Sequence, residues 1–179
     1  MPSPLTLTAL TSITLVFNSA NQVLPDWHLP ALRFVKLFQV YEPAVPAITP
    51  FFERHGPAII GLQFRSWGRV ASVPIILSYT TALQSVTLDE SDLDALENTQ
   101  LSFPSITHIG VHTIVQHATE ESYGIEAITK SFKTLFANRV LPGLKMVRLV
   151  VVEKEAALEE KWGDLLILCR NHKVTLANA

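Results

Sequence analysis

One short phrase recurs along this chain, and its repetition limits the possible folds more than any other feature. Each copy contains an aliphatic residue, two residues of any type, a second aliphatic residue, one residue of any type and a third apolar residue. The copies are LPALRFVKLF at 29–38, GPAIIGLQF at 56–64, TTALQSVTL at 80–88, FPSITHIGV at 103–111 and LPGLKMVRL at 141–149. In four of the five copies, a proline precedes the first aliphatic residue by two places. Because proline fixes φ and lacks an N–H, it suits the point where a strand begins, and we interpret each copy as a β-strand.

The spacing of the copies indicates stacked units of one strand and one helix. The first aliphatic residues, Leu32, Ile59, Leu83, Ile106 and Leu144, are separated by 27, 24, 23 and 38 residues. A degenerate copy, LTSITLV at 10–16, precedes them, and a fragment, KVTLA at 173–177, follows. Periods of about 20–29 residues are typical of leucine-rich repeats, although the asparagine of regular repeats is missing here. The sequence therefore predicts an α/β fold: an irregular leucine-rich-repeat-like solenoid with a parallel sheet on one face and helices on the other.

The whole chain, 1–179, is expected to form a single domain of about six to seven strand–helix units. The longest insertion between strands covers 113–140. Helices are expected at Pro50–His55, at Ser72–Tyr79, from Ser91 onward, at Glu120–Arg139 and at Glu155–Asn171. Thr49 and Gly56 are interpreted as the caps of the first helix, and Ser91 with Asp94 as a capping box. Gly124 is expected to delay the ordered start of the fourth helix to about Ile125.

Composition restricts the classes of partner and the compartment. The chain has 14 Lys and Arg against 16 Asp and Glu, a formal charge of −2, so it lacks the basic surplus of a nucleic-acid-binding domain. A single cysteine, Cys169, is typical of a reducing cytoplasm or nucleus. No apolar run reaches the roughly 18 residues of a membrane span, and Leu5–Phe17 lacks the basic start of a signal peptide. We expect a cytoplasmic or nuclear protein that binds neither nucleic acid nor membrane.

Signatures of catalysis and metal binding are missing from the sequence. His108 and His112 share a predicted strand face, but four residues of strand place them about 13 Å apart, too far for one zinc ion. The sequence contains no HExxH, CxxC, GxSxG, phosphate-binding loop or GxGxxG motif. Cys169 falls in the apolar stripe of a predicted helix, where thiols are unreactive. We therefore predict no catalytic residue, no metal and no cofactor.

The strand phrase also predicts which side chains lie on an exposed face of the sheet. Residues at its first, fourth and sixth positions should point into the core, and those between and just beyond them should point outward. The first predicted outward row is Ser12, Phe34, Gly61, Ser85, His108 and Met146. The second is Thr14, Lys36, Gln63, Thr87, Gly110, Arg148 and Thr175. The third is Val16, Phe38, Arg65, Asp89, His112 and Val150.

Aromatic and charged members of these rows are the candidate contacts for a protein partner, because aromatic residues and arginine supply much of the energy of protein interfaces. The predicted partner-binding residues are Phe34, Lys36, Phe38, Gln63, Arg65, Asp89, His108, His112 and Arg148. Two alternatives stay open. Arg65, Asp89 and His112 form either a charged recognition spot or an exposed cross-strand ladder. Phe34 and Phe38 are either contacts or are covered by the N-terminal segment or a neighbouring domain.

Several stretches resemble the C-terminal leucine-rich-repeat region of F-box proteins of mushroom-forming fungi. They are FFERHGPAIIGLQF at 51–64, YTTALQSVTLDES at 79–91, LSFPSITHIGVH at 101–112, LPGLKMVRLVVVEKE at 141–155 and WGDLLILCRNHKVTLANA at 162–179. In that family an N-terminal F-box docks on the Skp–cullin core of an SCF-type ubiquitin ligase, and the repeat array selects the substrate. No LPxE-type F-box segment precedes the first predicted strand, so ligase subunits are expected as partners only through an F-box supplied elsewhere.

The expected function is that of a non-catalytic protein–protein interaction module, which binds a protein through the exposed sheet face. Substrate recognition for an SCF-type ubiquitin ligase is the role that the resemblance implies. One alternative is a small α/β enzyme with a site in the loops at the strand C-termini, although the polar alternate positions of the strands oppose it. The other is a truncated repeat fragment without independent function.

Overall fold

A computed structural model describes residues 5–17, 24, 26–66, 70–113, 122–151 and 162–178. Its main feature is a seven-stranded parallel sheet in which the strands follow one another in chain order. These strands are β2 (Ser12–Val16), β4 (Phe34–Val40), β5 (Gly61–Ser66), β6 (Ser85–Asp89), β7 (His108–Thr113), β8 (Met146–Val151) and β9 (Thr175–Asn178). Two further strands, β1 (Leu5–Thr6) and β3 (Trp27–His28), pair in parallel as a separate small sheet.

From β4 onward, a helix occupies each connection between successive strands of the main sheet. They are α1 (Val45–His55), α2 (Val73–Ser78), α3 (Glu90–Glu97), α4 (Ser122–Ala137) and α5 (Gly163–Asn171), with 3₁₀ turns at Glu42–Ala44 and Gly56–Ala58. From α2 to α5, each helix contacts the next one along the chain. Parallel strands require such crossover connections, and the predicted α/β class with a parallel sheet is confirmed.

Burial along the strands alternates as the phrase predicts. The inward strand residues are buried: Val35, Leu37, Leu62, Phe64, Val86, Leu88, Ile109, Val111, Val147 and Leu149. The first aliphatic residue of each copy is buried too: Leu32, Ile59, Leu83, Ile106 and Leu144. These side chains join the apolar sides of the helices in one core. Full burial of such a side chain contributes about 1.5–3 kcal/mol, so the core fixes which face of the sheet stays open.

A tight turn precedes the strand in every copy, and it explains the recurring proline. The amide of Leu32 donates to the carbonyl of Leu29 at 3.1 Å. The same bond recurs from Ile59 to Gly56, Leu83 to Thr80, Ile106 to Phe103 and Leu144 to Leu141. Pro30 and its counterparts thus stand at the second position of a β-turn, which needs the φ that proline fixes. We expected the proline to begin the strand, but β4 begins only at Phe34, four residues after Pro30.

The start of each strand is also tied to the preceding unit. The carbonyl of Thr11 accepts hydrogen bonds from both Arg33 N and Phe34 N, at 2.9 and 3.0 Å. Equivalent carbonyls, each accepting from two successive amides, belong to Arg33, Ile60, Gln84 and Thr107. Since the same pair of bonds is made each time, successive strands begin in a constant register.

The first helix begins earlier than predicted, and it ends at His55 with Gly56 as its C-cap residue, as predicted. It begins at Val45, so Pro50 lies inside it rather than at its first position. Thr49 Oγ1 donates to the carbonyl of Val45 at 3.0 Å and caps nothing. Gly56 has φ −51 and continues into a 3₁₀ turn, so it is not a left-handed terminator. A Cβ there would overlap the carbonyl of Tyr79, which is why this position needs glycine.

The later helices also depart from their predicted bounds. α3 begins at Glu90 with Asp89 as its N-cap residue, so the predicted capping box of Ser91 and Asp94 does not start it. α4 includes Gly124, because one glycine costs a 16-residue helix only about 1 kcal/mol. The outer parts of the helices predicted at Glu120–Arg139 and Glu155–Asn171 fall in 114–121 and 152–161, outside the described residues.

Candidate functional site: the open face of the sheet

The open face of the main sheet carries the three predicted rows. Phe34 pairs with Ser12 on one side and Gly61 on the other, and Lys36 lies between Thr14 and Gln63. Across β6, β7 and β8 the register aligns Ser85, His108 and Met146, then Thr87, Gly110 and Arg148, then Asp89, His112 and Val150. The strand pairing therefore confirms the rows from β2 to β8.

The last strand is shifted by two residues from its predicted place. Thr175 pairs with Met146, and Ala177 is the residue opposite Arg148. The reason is a different turn, because no proline precedes this strand and Lys173 takes a left-handed φ of 58. The placement of Thr175 in the second row was wrong, since that residue continues the first row.

An aromatic and basic area occupies the β2–β5 end of the open face. Phe34 is 48% exposed and Val16 is 42% exposed, whereas Phe38 is half-buried. Lys36 is exposed between them. The ring of Phe34 lies over Gly61, where an added methyl group would come within 2.6 Å of Cδ1. The described part of the N-terminal segment, 5–17, thus leaves Phe34 accessible, which keeps it as a candidate contact.

A polar cluster of Gln63, Arg65, Asp89 and His112 lies at the C-terminal ends of β5, β6 and β7. Arg65 Nε is 3.1 Å from Asp89 Oδ1, and the two side chains are only 29% and 18% exposed. The other carboxylate oxygen of Asp89 accepts the amide of Ser66 at 2.7 Å. Gln63 Nε2 is 3.3 Å from His112 Nε2. These contacts make the cluster a half-buried ladder rather than the exposed one considered from the sequence.

The role of His112 as a partner contact stays a prediction, but the residue is only 8% exposed on the face where it was predicted. The physical reason is crowding, because its ring lies between Asp89 and Val150 on the neighbouring strands and against the amide of Gln63. Burial lowers the pKa of His112 and Arg65 lowers it further, while Asp89 opposes the change. The imidazole is therefore neutral at pH 7, and its Nδ1 has no hydrogen-bond partner in the described part of the chain.

Asp92, which the sequence reasoning missed, lies fully buried behind this cluster. Its Oδ1 accepts the amide of Val70 at 3.1 Å, which ties α3 to the segment before α2. Its Oδ2 makes no hydrogen bond to any described residue. Burial raises the pKa of Asp92 to about 6, against the opposing effects of the Ser66 hydroxyl and the Val70 amide. A usable signal was present, because Asp92 precedes buried Ala95 and Leu96 by three and four residues and shares their helix face.

Arg148 and His108 lie toward the other end of the open face. Arg148 is exposed, and its register neighbours Gly110 and Ala177 have little or no side chain to cover it. His108 is exposed as well, with Nδ1 2.8 Å from Thr107 Oγ1. Among the residues that the structure describes, neither Lys36 nor Arg148 forms an ion pair. Both cations are thus accessible to a partner.

Metal-ligand clusters, the reactivity of Cys169 and membrane-spanning helices can each be checked in the described ranges. Within them, no three His, Cys, Asp or Glu side chains are placed to hold a metal ion. Burial of Cys169 raises its thiol pKa to about 11, so the thiolate form is scarce at neutral pH. In the same ranges, no helix combines the length and apolar character needed to cross a bilayer.

Comparisons of the chain with protein-family models, curated proteins and solved structures found no match. The case for its function therefore depends on the geometry of the open face.

Proposed function

We propose that this chain is an irregular leucine-rich-repeat-like solenoid that acts as a non-catalytic protein–protein interaction module. A protein partner binds the open face of the sheet. The observation that carries the proposal is that this face leaves large apolar side chains, Phe34 and Val16, 48% and 42% exposed beside the accessible Lys36. Apolar anchors next to charged groups are the usual composition of a protein interface.

The repeat character of the proposal is supported by features that recur from unit to unit. The same β-turn precedes five strands, and the same type of carbonyl accepts two amides at the start of each following strand. Strand order and helix contacts both follow chain order, so each unit contacts mainly its neighbours. That nearest-neighbour pattern is the physical definition of a solenoid.

The geometry supports a binding module better than a small α/β enzyme. Doubly wound enzymes bind their ligands where the strand order reverses, and helices cover both faces of their sheets. Here the order of the seven strands has no reversal, and one face carries exposed side chains. The polar side chains at the strand C-termini are engaged with one another: Arg65 with Asp89, and Gln63 with His112.

Within this proposal, the role that the sequence resemblance suggests is substrate recognition for an SCF-type ubiquitin ligase. Such a role requires an F-box and its contact with Skp and cullin subunits. It is tested by co-purification of these subunits with the partner that the open face captures. Their absence would leave an interaction module without a ligase role.

The proposed function is tested by chemical cross-linking and affinity capture with three versions of the chain. The wild type is compared with a face variant, Phe34→Ser with Lys36→Ser, and a control variant, Ile167→Ser with Lys130→Ser. The control removes one exposed apolar residue and one exposed lysine from the helical side, where Ile167 is 56% exposed. The proposal predicts a partner that wild type and control retain and the face variant loses, at equal thermal stability. A partner set that the face variant shares with both would contradict the proposal, because those partners would bind outside the open face.

A further inference from the structure

Charge is distributed unevenly between the open face and the rest of the chain. The three rows contain three cations, Lys36, Arg65 and Arg148, and one carboxylate, Asp89, a formal charge of +2. The whole chain has 14 basic and 16 acidic residues, so 11 basic and 15 acidic residues remain elsewhere, a formal charge of −4. The open face is therefore opposite in sign to the remainder of the protein.

The ion pair between Arg65 and Asp89 reduces this surplus to two accessible charges. Lys36 on β4 and Arg148 on β8 occupy the same row, separated by β5, β6 and β7. Four strand steps of about 4.8 Å place the two positions about 19 Å apart. The intervening row residues are Gln63, Thr87 and Gly110, which carry no charge. An extended peptide advances about 3.3 Å per residue, so it covers this distance in about six residues.

An apolar anchor lies next to one of these charges. Phe34 precedes Lys36 by two residues on the same strand face, and both are exposed. The Phe34 ring covers Gly61 of the adjacent strand, which has no side chain of its own, and the outer part of Phe34 stays 48% exposed. A partner side chain placed there would contact the ring while a neighbouring carboxylate reached Lys36.

From this arrangement we infer that the partner presents an extended acidic segment. It carries an apolar residue on Phe34, and two carboxylates about six residues apart on Lys36 and Arg148. The segment crosses the strands of the open face. This inference rests on the proposed function and specifies the chemistry of the partner. Nucleic acid fits less well, because two cations about 19 Å apart do not form the dense basic patch that a phosphate backbone requires.

The test uses synthetic peptides of about 12 residues labelled with fluorescein. The probe has one phenylalanine followed by two glutamates six residues apart in a serine–alanine background. One control peptide replaces both glutamates with lysine, and another places the glutamates side by side. Binding is followed by fluorescence anisotropy at low salt, where charge interactions between exposed groups are least screened. A single-stranded oligonucleotide of similar length is measured in parallel.

The spaced acidic peptide should bind at least about fivefold more tightly than either control, the factor expected from one exposed charge contact. Lys36→Glu and Arg148→Glu should each weaken the binding of the spaced acidic peptide by a similar factor. The double variant should bind the lysine peptide more tightly than the acidic one. Lys130→Glu, the same change on α4, should leave binding unaltered. Equal affinity for all peptides, no binding of the probe at about 1 mM, or tighter binding of the oligonucleotide would each overturn the inference.

Failure of this inference is distinguishable from failure of the proposed function. Suppose that the face variant loses a partner and that this partner competes with none of the acidic peptides. That result would refute the inference of an acidic segment and would leave the proposed function as an interaction module standing. Partners captured independently of the open face would refute both.

Discussion

The ring of Phe34 lies directly over Gly61 of the adjacent strand, so close that a methyl group on Gly61 would meet Cδ1 at 2.6 Å. The absence of a side chain on Gly61 therefore leaves the space that the Phe34 ring occupies. The obstructing atoms belong to an exposed side chain that can turn away. We expect Gly61→Ala to change the free energy of unfolding by less than about 1 kcal/mol, while it displaces the ring and weakens the captured partner. Urea unfolding and the capture assay measure the two effects separately.

Gly143 provides the contrasting case, because a Cβ there would overlap the backbone carbonyl of Pro104 in the preceding unit. A carbonyl held in a β-turn cannot move without breaking that turn. Gly143→Ala should lower the free energy of unfolding by about 2 kcal/mol or more, as overpacking typically does. Urea unfolding of both variants is the measurement, and equal losses for Gly61→Ala and Gly143→Ala would show that the close approach of units is not what restricts these positions.

The strand faces were predictable from sequence, and the turns could have been. Alternation within each copy was sufficient because every strand starts after the same turn. The residue before the first aliphatic position is small in each copy: Ala31, Ala58, Ala82, Ser105 and Gly143. We treated that position as free, although Gly143 demonstrates how little space neighbouring turns leave. Before Thr175, where the turn has no proline and Lys173 takes a left-handed φ, the prediction was wrong by two residues.

The polar cluster was only partly predictable because its burial depends on units far apart in the chain. Arg65, Asp89 and His112 were placed on adjacent strands correctly. The amide that covers His112 comes from Gln63, 49 residues earlier, and the partner of Asp92 is Val70, 22 residues earlier. Strand periodicity indicates which way a side chain points. It does not indicate whether a residue distant in the sequence will cover that side chain.

Asp92 should make the stability of the protein depend on pH. Its pKa is about 6 in the folded protein, against an ordinary value of 3.8, so the folded state keeps this proton to a higher pH than the unfolded chain does. The contribution of this group to folding stability is therefore greatest below about pH 4, falls as pH rises to about 6, and is constant above. Asp92→Asn removes the ionisation and keeps an acceptor for Val70 N–H, so it should add about 1–3 kcal/mol at pH 7.5 and little at pH 4.

Urea unfolding of wild type and Asp92→Asn at the two pH values measures this difference. Asp164→Asn is the matched control, because Asp164 is an exposed carboxylate in the first turn of α5. The control should change stability by no more than about 0.5 kcal/mol at either pH. A gain for Asp92→Asn that is the same at pH 4 and pH 7.5 would disprove the raised pKa.

The pKa of His112 should respond to changes in the two charged side chains beside it, Arg65 and Asp89. Its pKa is lowered by burial and by Arg65, and Asp89 opposes this. Arg65→Gln should therefore raise the pKa of His112, and Asp89→Asn should lower it further. NMR titration of the imidazole C–H signals of His112 measures both changes. Because the folded-state pKa is depressed, protonation of His112 should cost stability as pH falls below about 6.5. Shifts of the same sign in both variants would mean that the ring responds to a change in burial and not to these charges.

Cys169 should be unreactive in the folded protein. Its side chain is buried in the apolar face of α5, and burial raises the thiol pKa to about 11. The thiolate is the reactive form, so labelling by a disulfide reagent at pH 8 should be limited by exposure of the core. The labelling rate should then rise with urea in parallel with unfolding, and it should increase in the destabilised Gly143→Ala variant but not in Gly61→Ala. Rapid labelling of the native wild type, with no dependence on urea, would place Cys169 outside the packed core and would contradict the burial of this face of α5.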